Sequence, residues 1–153
     1  MMKTALCFLL TLSACVVNDA TVTDTCTFND IRFELITKND KAYLVTEQNG
    51  QLSSEELKLD PPCYFLRKDS SVQSYSYKEP DAEVIIIVGN LLDEERKAYF
   101  GADQSMVCGE KALGVLIMDG LATLSNNSLS GGIVCKDYGL DEKDFRSFLP
   151  EER

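Results

Sequence analysis

Hydrophobic positions along this chain change their rhythm twice. An unbroken apolar block comes first, "TALCFLLTLSACVV" from Thr4 to Val17. Alternating positions follow from residue 27 to residue 118. Beyond Leu124 they thin out, until Phe145, Phe148 and Leu149 recur at i, i+3 and i+4. Each rhythm predicts a different kind of element.

In "IRFELIT", Ile31, Phe33 and Leu35 alternate with Arg32, Glu34 and Ile36, the period of a strand with one wetter face. "KND" reads as a turn and "KAYLVTE" (Lys41 to Glu47) as the partner strand of a hairpin. Asn49-Gly50 marks another turn, and "SSEELKLDPP" reads as an exposed, proline-terminated connection. Further strands are predicted at "CYFLRK", "SVQSYSYKE", "AEVIIIVGN", "ERKAYFGA" and "KALGVLIMDG". The β-branched run "VIIIV" marks a buried strand, apolar on both of its faces. About seven strands at these intervals suit an antiparallel barrel or sandwich.

The closing third predicts helix. Ser125 or Asn127 can cap a helix near 125–138, with Ile133, Val134 and Tyr138 inward and Gly139 at its end. Gly131 and Gly132 would cost that helix about 1 kcal/mol each relative to alanine. Asp141 then caps "EKDFRSFL".

The apolar block changes the picture of the first residues. It follows a short positive start, is shorter than the about 20 residues of a membrane span, and gives way at once to "NDATVTDT". That is the form of a secretory signal peptide. Small residues allow cleavage after Ala14, Cys15 or Ala20; Ala20 is preferred, giving a signal peptide over 1–20 and one domain over 21–153. "LSAC" also resembles a bacterial lipobox, which would lipidate Cys15. Secretion to the extracellular space is expected, without stable membrane insertion.

Four cysteines lie beyond Ala20: Cys26, Cys63, Cys108 and Cys135. An even number in a secreted chain predicts two disulfides, with three pairings open. No C-x-x-C pair is present, so no structural zinc site is expected. Asn126-Asn127-Ser128 is a glycosylation sequon in a polar stretch. The net charge of −10 at pH 7 disfavours nucleic acid and anionic membrane surfaces, and no such partner is expected.

Candidate chemistry is sparse. The chain has no histidine, which removes the usual base of serine and cysteine triads and a leading metal ligand. Carboxylates cluster at Glu55-Glu56, Asp93-Glu94-Glu95 and Asp141-Glu142, in polar segments where a solvated surface is the ordinary role. "GADQSMVCGEK" lacks phosphate-loop spacing and "DEKD" lacks the alternating ligands of a calcium loop. No enzyme activity, cofactor or metal is expected. The aromatics on predicted strands suit an ordinary core, or a barrel interior left partly open for one small ligand.

An apolar last strand, "ALGVLIMDG", then "LATLSNN" and a segment ending "CKDYGLDEKDFRSFLP" resemble the closing third of a lipocalin. Cys135 in that segment, Cys63 in "PPCYFLRK" and Cys108 before the last strand resemble the alpha-1-acid glycoprotein and apolipoprotein M branch. The chain is a shortened variant of that pattern: it has no tryptophan, hence no G-x-W motif, and Met118-Asp119-Gly120 stand where the family has an arginine.

The resemblance implies a mainly β fold, an antiparallel up-and-down β-barrel, incomplete at its first strand, with one C-terminal helix and two disulfides. It implies the pairings Cys26–Cys135 and Cys63–Cys108. It also implies a monomer that carries a small hydrophobic, lipid-like ligand against Phe33, Leu35, Tyr43, Phe65, Tyr75, Tyr77, Ile85, Ile87, Val115 and Ile117. The alternative is a small secreted all-β protein with a filled core, acting through surface contacts with another protein in an immune-modulating manner.

Overall fold

The structure, a computed structural model, describes residues 19–151. The expected signal peptide and Cys15 therefore lie outside the described residues, save for Asp19 and Ala20.

Two-residue turns organise the first half. Strands β1 (Thr21–Phe28), β2 (Ile31–Lys38), β3 (Lys41–Gln48) and β4 (Gln51–Glu56) form one antiparallel sheet in chain order. They are joined by Asn29-Asp30, Asn39-Asp40 and Asn49-Gly50, all with positive φ. Such turns match the twist of the strands they join, and Asn, Asp and Gly tolerate that backbone best. The turns set the register, and alternation then sends Ile31, Phe33, Leu35, Ala42 and Leu44 to one face, where all are buried. β4 is an exposed edge strand where an irregular connection was expected, although Leu57 and Leu59 just after it are buried.

The second sheet is built around β9 (Asp81–Leu91) and β10 (Cys108–Met118), with β11 (Leu121–Cys135) beyond β10. Short strands β5 (Tyr64–Phe65) and β8 (Ser74–Lys78) pair the other edge of β9. A small hairpin, β6 (Arg67–Lys68) and β7 (Ser71–Val72), lies between them.

This second sheet is a middle layer, which explains "VIIIV". Ile85 and Ile87 face the first sheet together with Leu113, Val115 and Ile117 of β10. Val84, Ile86 and Val88 face the opposite way, with Ala112 and Leu116, under Phe145, Phe148 and Leu149. A strand buried on both faces has no polar side to show.

The barrel expectation is corrected here: the sheets form an open sandwich backed by a C-terminal segment, not a closed barrel. On one side β1 reaches β5 and β6 through side chains. Asp24 accepts from the Phe65 N–H at 2.9 Å and from Arg67 at 2.5 and 2.8 Å, while the Thr23 hydroxyl donates to the Cys63 carbonyl at 2.8 Å. On the other side β4 and β11 are the outer strands of their respective sheets, tied near their turns by Gln48 Nε2 donating to the Gly120 carbonyl at 2.6 Å.

Three further expectations are corrected. Residues 125–138, expected as helix, belong largely to β11, which pairs β10 from Leu121 to Cys135. The double glycine that suits a helix poorly sits where the β10–β11 register shifts, with Gly131 at φ 82°; it makes a bulge. "ERKAYFGA", expected as strand, contains helix α1 (Glu94–Tyr99). Asp93 caps it by accepting from the Arg96 N–H at 2.8 Å, and Glu94 and Glu95 favour the positive end of its dipole.

The disulfide pairings are corrected by the same strand. With β11 laid along β10, Cys108 and Cys135 stand directly opposite each other and are bonded. Cys26 and Cys63 carry free thiols. β1 approaches β5 and β6 in parallel fashion, Thr23 beside Cys63, Asp24 beside Phe65 and Thr25 beside Arg67. Cys26 therefore lies three residues beyond Cys63's neighbour, about 10 Å along the strand.

The expected second helical piece is present. α2 (Glu142–Arg146) begins after Asp141, whose side chain makes no capping hydrogen bond, and it ends before Phe148 and Leu149. Phe145, Phe148 and Leu149 are all buried as their spacing predicts.

Candidate functional site

The ten residues expected to line a ligand cavity divide between two packed layers. Phe33, Leu35, Phe65, Ile85, Ile87, Val115 and Ile117 are buried together between the sheets, with Phe33 and Phe65 in edge-to-face contact at 6.3 Å. Tyr77 lies on the far side of the middle sheet, and Tyr75 packs there against Phe145 at 4.8 Å. Tyr43 is half-buried on β3. Five surface clefts of about 180 to 500 Å³ are well formed among the described residues, and of the ten residues Ile117 lines one of these five and the other nine line none of them.

The surface offers a different assembly. Between β9 and β10 the chain makes a long excursion, residues 92–107, closed at its base by the Leu92 N–H donating to the Cys108 carbonyl at 2.9 Å. Nothing in α1 is buried, and of residues 92–107 Leu92 alone is, at the base, so core packing holds little of this lobe. Polar contacts do. The Lys97 ammonium donates to the carbonyls of Gln104 and Met106 at 2.9 and 3.0 Å, and Gln104 donates to the Glu94 carbonyl at 3.1 Å. Asp103 accepts from the backbone and hydroxyl of Ser105, which hold its carboxyl below the usual range.

The lobe presents aromatic and cationic side chains outward. Tyr99 is 80% exposed and meets the Phe100 ring edge-on at 5.2 Å; the Arg96 guanidinium lies 5.6 Å over that ring. Next to the lobe's return runs the turn after β11. The Lys136 N–H donates to the Val107 carbonyl at 3.0 Å, and Tyr138 is 66% exposed. Asp103, Ser105, Met106, Asp137 and Tyr138 line a cleft of about 250 Å³ there, its floor including Cys135 of the disulfide. Acidic groups outnumber basic ones along these segments: Asp93, Glu94, Glu95, Asp103 and Asp137 against Arg96, Lys97 and Lys136.

A second feature ties the chain's end. β11 bulges at Ser125–Asn127, opposite Gly114. The Ser125 hydroxyl donates to the Phe148 carbonyl at 2.7 Å, and Asn127 Nδ2 to the carbonyls of Ser147 and Leu149 at 2.9 and 3.3 Å. Gly114 leaves room for Phe148, whose ring would lie 2.6 Å from any Cβ added there. At the other end of the clasp Gln73 accepts from the Leu140 N–H and donates to its carbonyl, both at 2.8 Å.

Sequence reasoning missed the lobe because "KAYF" mimics strand alternation, although Asp93 before two glutamates was a readable helix start. It missed Gln73 because one polar residue in a strand carries no sign of its partner. Among the described residues no three His, Cys, Asp or Glu side chains gather as a metal site, and no helix is long and apolar enough to cross a membrane.

The fold and surface together define an antiparallel two-sheet sandwich with a C-terminal clasp and a disulfide-based lobe. No protein-family description, curated protein or solved structure matches the chain.

Proposed function

We propose that this is a secreted binding protein that works through its surface, engaging another protein with the 92–107 lobe and the 135–138 turn. One observation carries the reading: exposed aromatics stand on an ordered, disulfide-anchored support, while the interior is occupied by its own side chains. Tyrosine and arginine dominate binding energy at protein interfaces, and Tyr99, Tyr138 and Arg96 are presented there without a core role. The acidic surround and net charge of −10 favour a basic partner surface, which would also speed encounter at low salt. Export through residues 1–20 and a glycan at Asn126 belong to the same reading. Carriage of a hydrophobic ligand would instead require the sheets to part around Phe33 and Phe65, both of which are fully buried.

The test places a photo-crosslinking aromatic residue at Tyr99 and, separately, at Leu52 on the distant edge strand. In extracellular fluid of the source, the Tyr99 position is expected to yield a discrete protein adduct that Y138A diminishes, and the Leu52 position none. Saturable, stoichiometric uptake of an apolar fluorescent probe, with no adduct at Tyr99, would overturn the reading in favour of a carrier.

A further inference from the structure

We infer that Asn126 carries an N-linked glycan whose first sugars lie in the cleft beside it and hold the C-terminal clasp shut. Three residues bulge from β11 opposite Gly114, and they divide their work. Ser125 and Asn127 turn to the clasp and are spent on its carbonyls. Asn126 makes none of these bonds and is exposed, as is Ser128, which completes the sequon. Asn126 also lines a surface cleft of about 500 Å³ together with Met118, Leu124, Phe148, Pro150 and the acidic Glu151. Phe148 and Pro150 belong to the clasp, and Met118 and Leu124 to the sheet, so an occupant would bridge the two.

The modification is a group transfer from an oligosaccharide borne on a lipid diphosphate. The Asn126 amide nitrogen bonds to the anomeric carbon, the anomeric C–O bond breaks, and the lipid diphosphate leaves with the electron pair. One amide proton passes to the transferase. The attached pyranose has an apolar C–H face and a polar rim. That suits a cleft where Met118, Leu124 and Pro150 offer apolar contact and Thr123, Asn127 and Glu151 offer polar groups. A smaller cleft that Asn126 also lines, about 180 Å³, is formed with Glu55, Glu56, Lys58, Lys111, Leu113 and Leu124; it touches no residue of the clasp, so a sugar seated there would leave the clasp unheld.

The inference rests on the secretory reading, because the lipid-linked donor is met there. Expression of residues 21–153 behind a heterologous export signal in eukaryotic cells separates the two, and export by residues 1–20 is scored in a parallel culture. The expected result is an oligosaccharide mass on Asn126, kept in S128T and lost in S128A and N126Q. Backbone amides of 147–151 should exchange about threefold more slowly with the glycan than after its enzymatic removal. An unmodified Asn126 in folded, exported protein overturns the site. A modified Asn126 with unchanged exchange at 147–151, or slowed exchange at 55–58 instead, overturns the cleft and the clasp role.

Discussion

The two faces of the middle sheet are covered in different ways. One face meets a second sheet, assembled from hairpins whose turns and alternation are local. The other meets a clasp of three side chains, Phe145, Phe148 and Leu149, carried on a short helix and its tail. The first cover is continuous, each strand held to the next by antiparallel pairing. The second is attached at points: Gln73 to Leu140, Tyr77 hydroxyl to the Glu142 carbonyl at 3.1 Å, and the β11 bulge to residues 147–149. Equal burial thus has unequal anchorage, and a layer held at points can open without the rest unfolding.

Phe33→Ala should break the sheet-on-sheet face with the largest effect, about 4 kcal/mol, because a fully buried ring leaves a cavity that paired strands cannot fill. Phe148→Ala should cost about 3 kcal/mol at most, since a chain end relaxes into the space more readily. Urea unfolding measures both. The sharper readout is amide exchange: Phe33→Ala should raise exchange throughout, and Phe148→Ala chiefly in 140–151. Equal, global changes would show that the clasp is no separate unit.

Removing the Cys108–Cys135 link as the double alanine variant comes next, at about 3 kcal/mol for a loop of 27 residues. The bond ties β11 to β10 and anchors the lobe, so loss of protection should concentrate in residues 92–107 and 131–138.

The first sheet was legible in the sequence for a physical reason. Asn29-Asp30, Asn39-Asp40 and Asn49-Gly50 are turn chemistry, and the strands between them alternate because one face is wet. β9 was legible as a buried strand, but "VIIIV" could not say that a clasp covers its second face. β11 was misread because "LATLSNNSLSGG" is too polar to look like a strand. Its pairing is decided by β10, and its two bulges by Gly114's role against Phe148 and by the double glycine. The disulfide followed from that pairing, and so was illegible with it. Of the site, Asn126 could be read from its sequon, whereas Tyr99 gained its standing only once α1 proved to be an unburied helix.

The seam between β1 and β5 tests whether side chains alone can join two sheets. Asp24→Ala should cost about 2 kcal/mol: it leaves the Arg67 guanidinium, about one-fifth exposed, and the Phe65 N–H without their shared acceptor. Asp24→Asn, which keeps an oxygen for Phe65, should cost less. A chemical-denaturation comparison of the two variants checks the order. An equal loss would mean that the charge on Asp24 does all of the joining.

The smallest effect separates the two faces by pH. The sheet-on-sheet face holds two weak acids, the thiols of Cys26 and Cys63, and the clasp face one, the phenol of Tyr77. Burial, with Asp60 nearby, pushes the Cys63 thiol between the sheets up to about 12. Burial, with Glu142 nearby, pushes the Tyr77 phenol under the clasp up to about 12. A thiol in the unfolded chain loses its proton near its ordinary value of 9.0, while the folded protein keeps it. The unfolded state then binds fewer protons, so stability is complete below pH 9 and falls as pH rises toward 12. Tyr77 acts with the same sign but starts from 10.0. Between pH 8 and pH 10, wild type should therefore lose about 1 kcal/mol more than Cys63→Ala, whose own cavity cost is the same at both values. Tyr77→Phe should leave that interval nearly unchanged and flatten the decline above pH 10, with its benefit seen first in exchange at 140–151. If instead Tyr77→Phe flattened the decline below pH 10 and Cys63→Ala did not, the clasp face would be the better buried of the two.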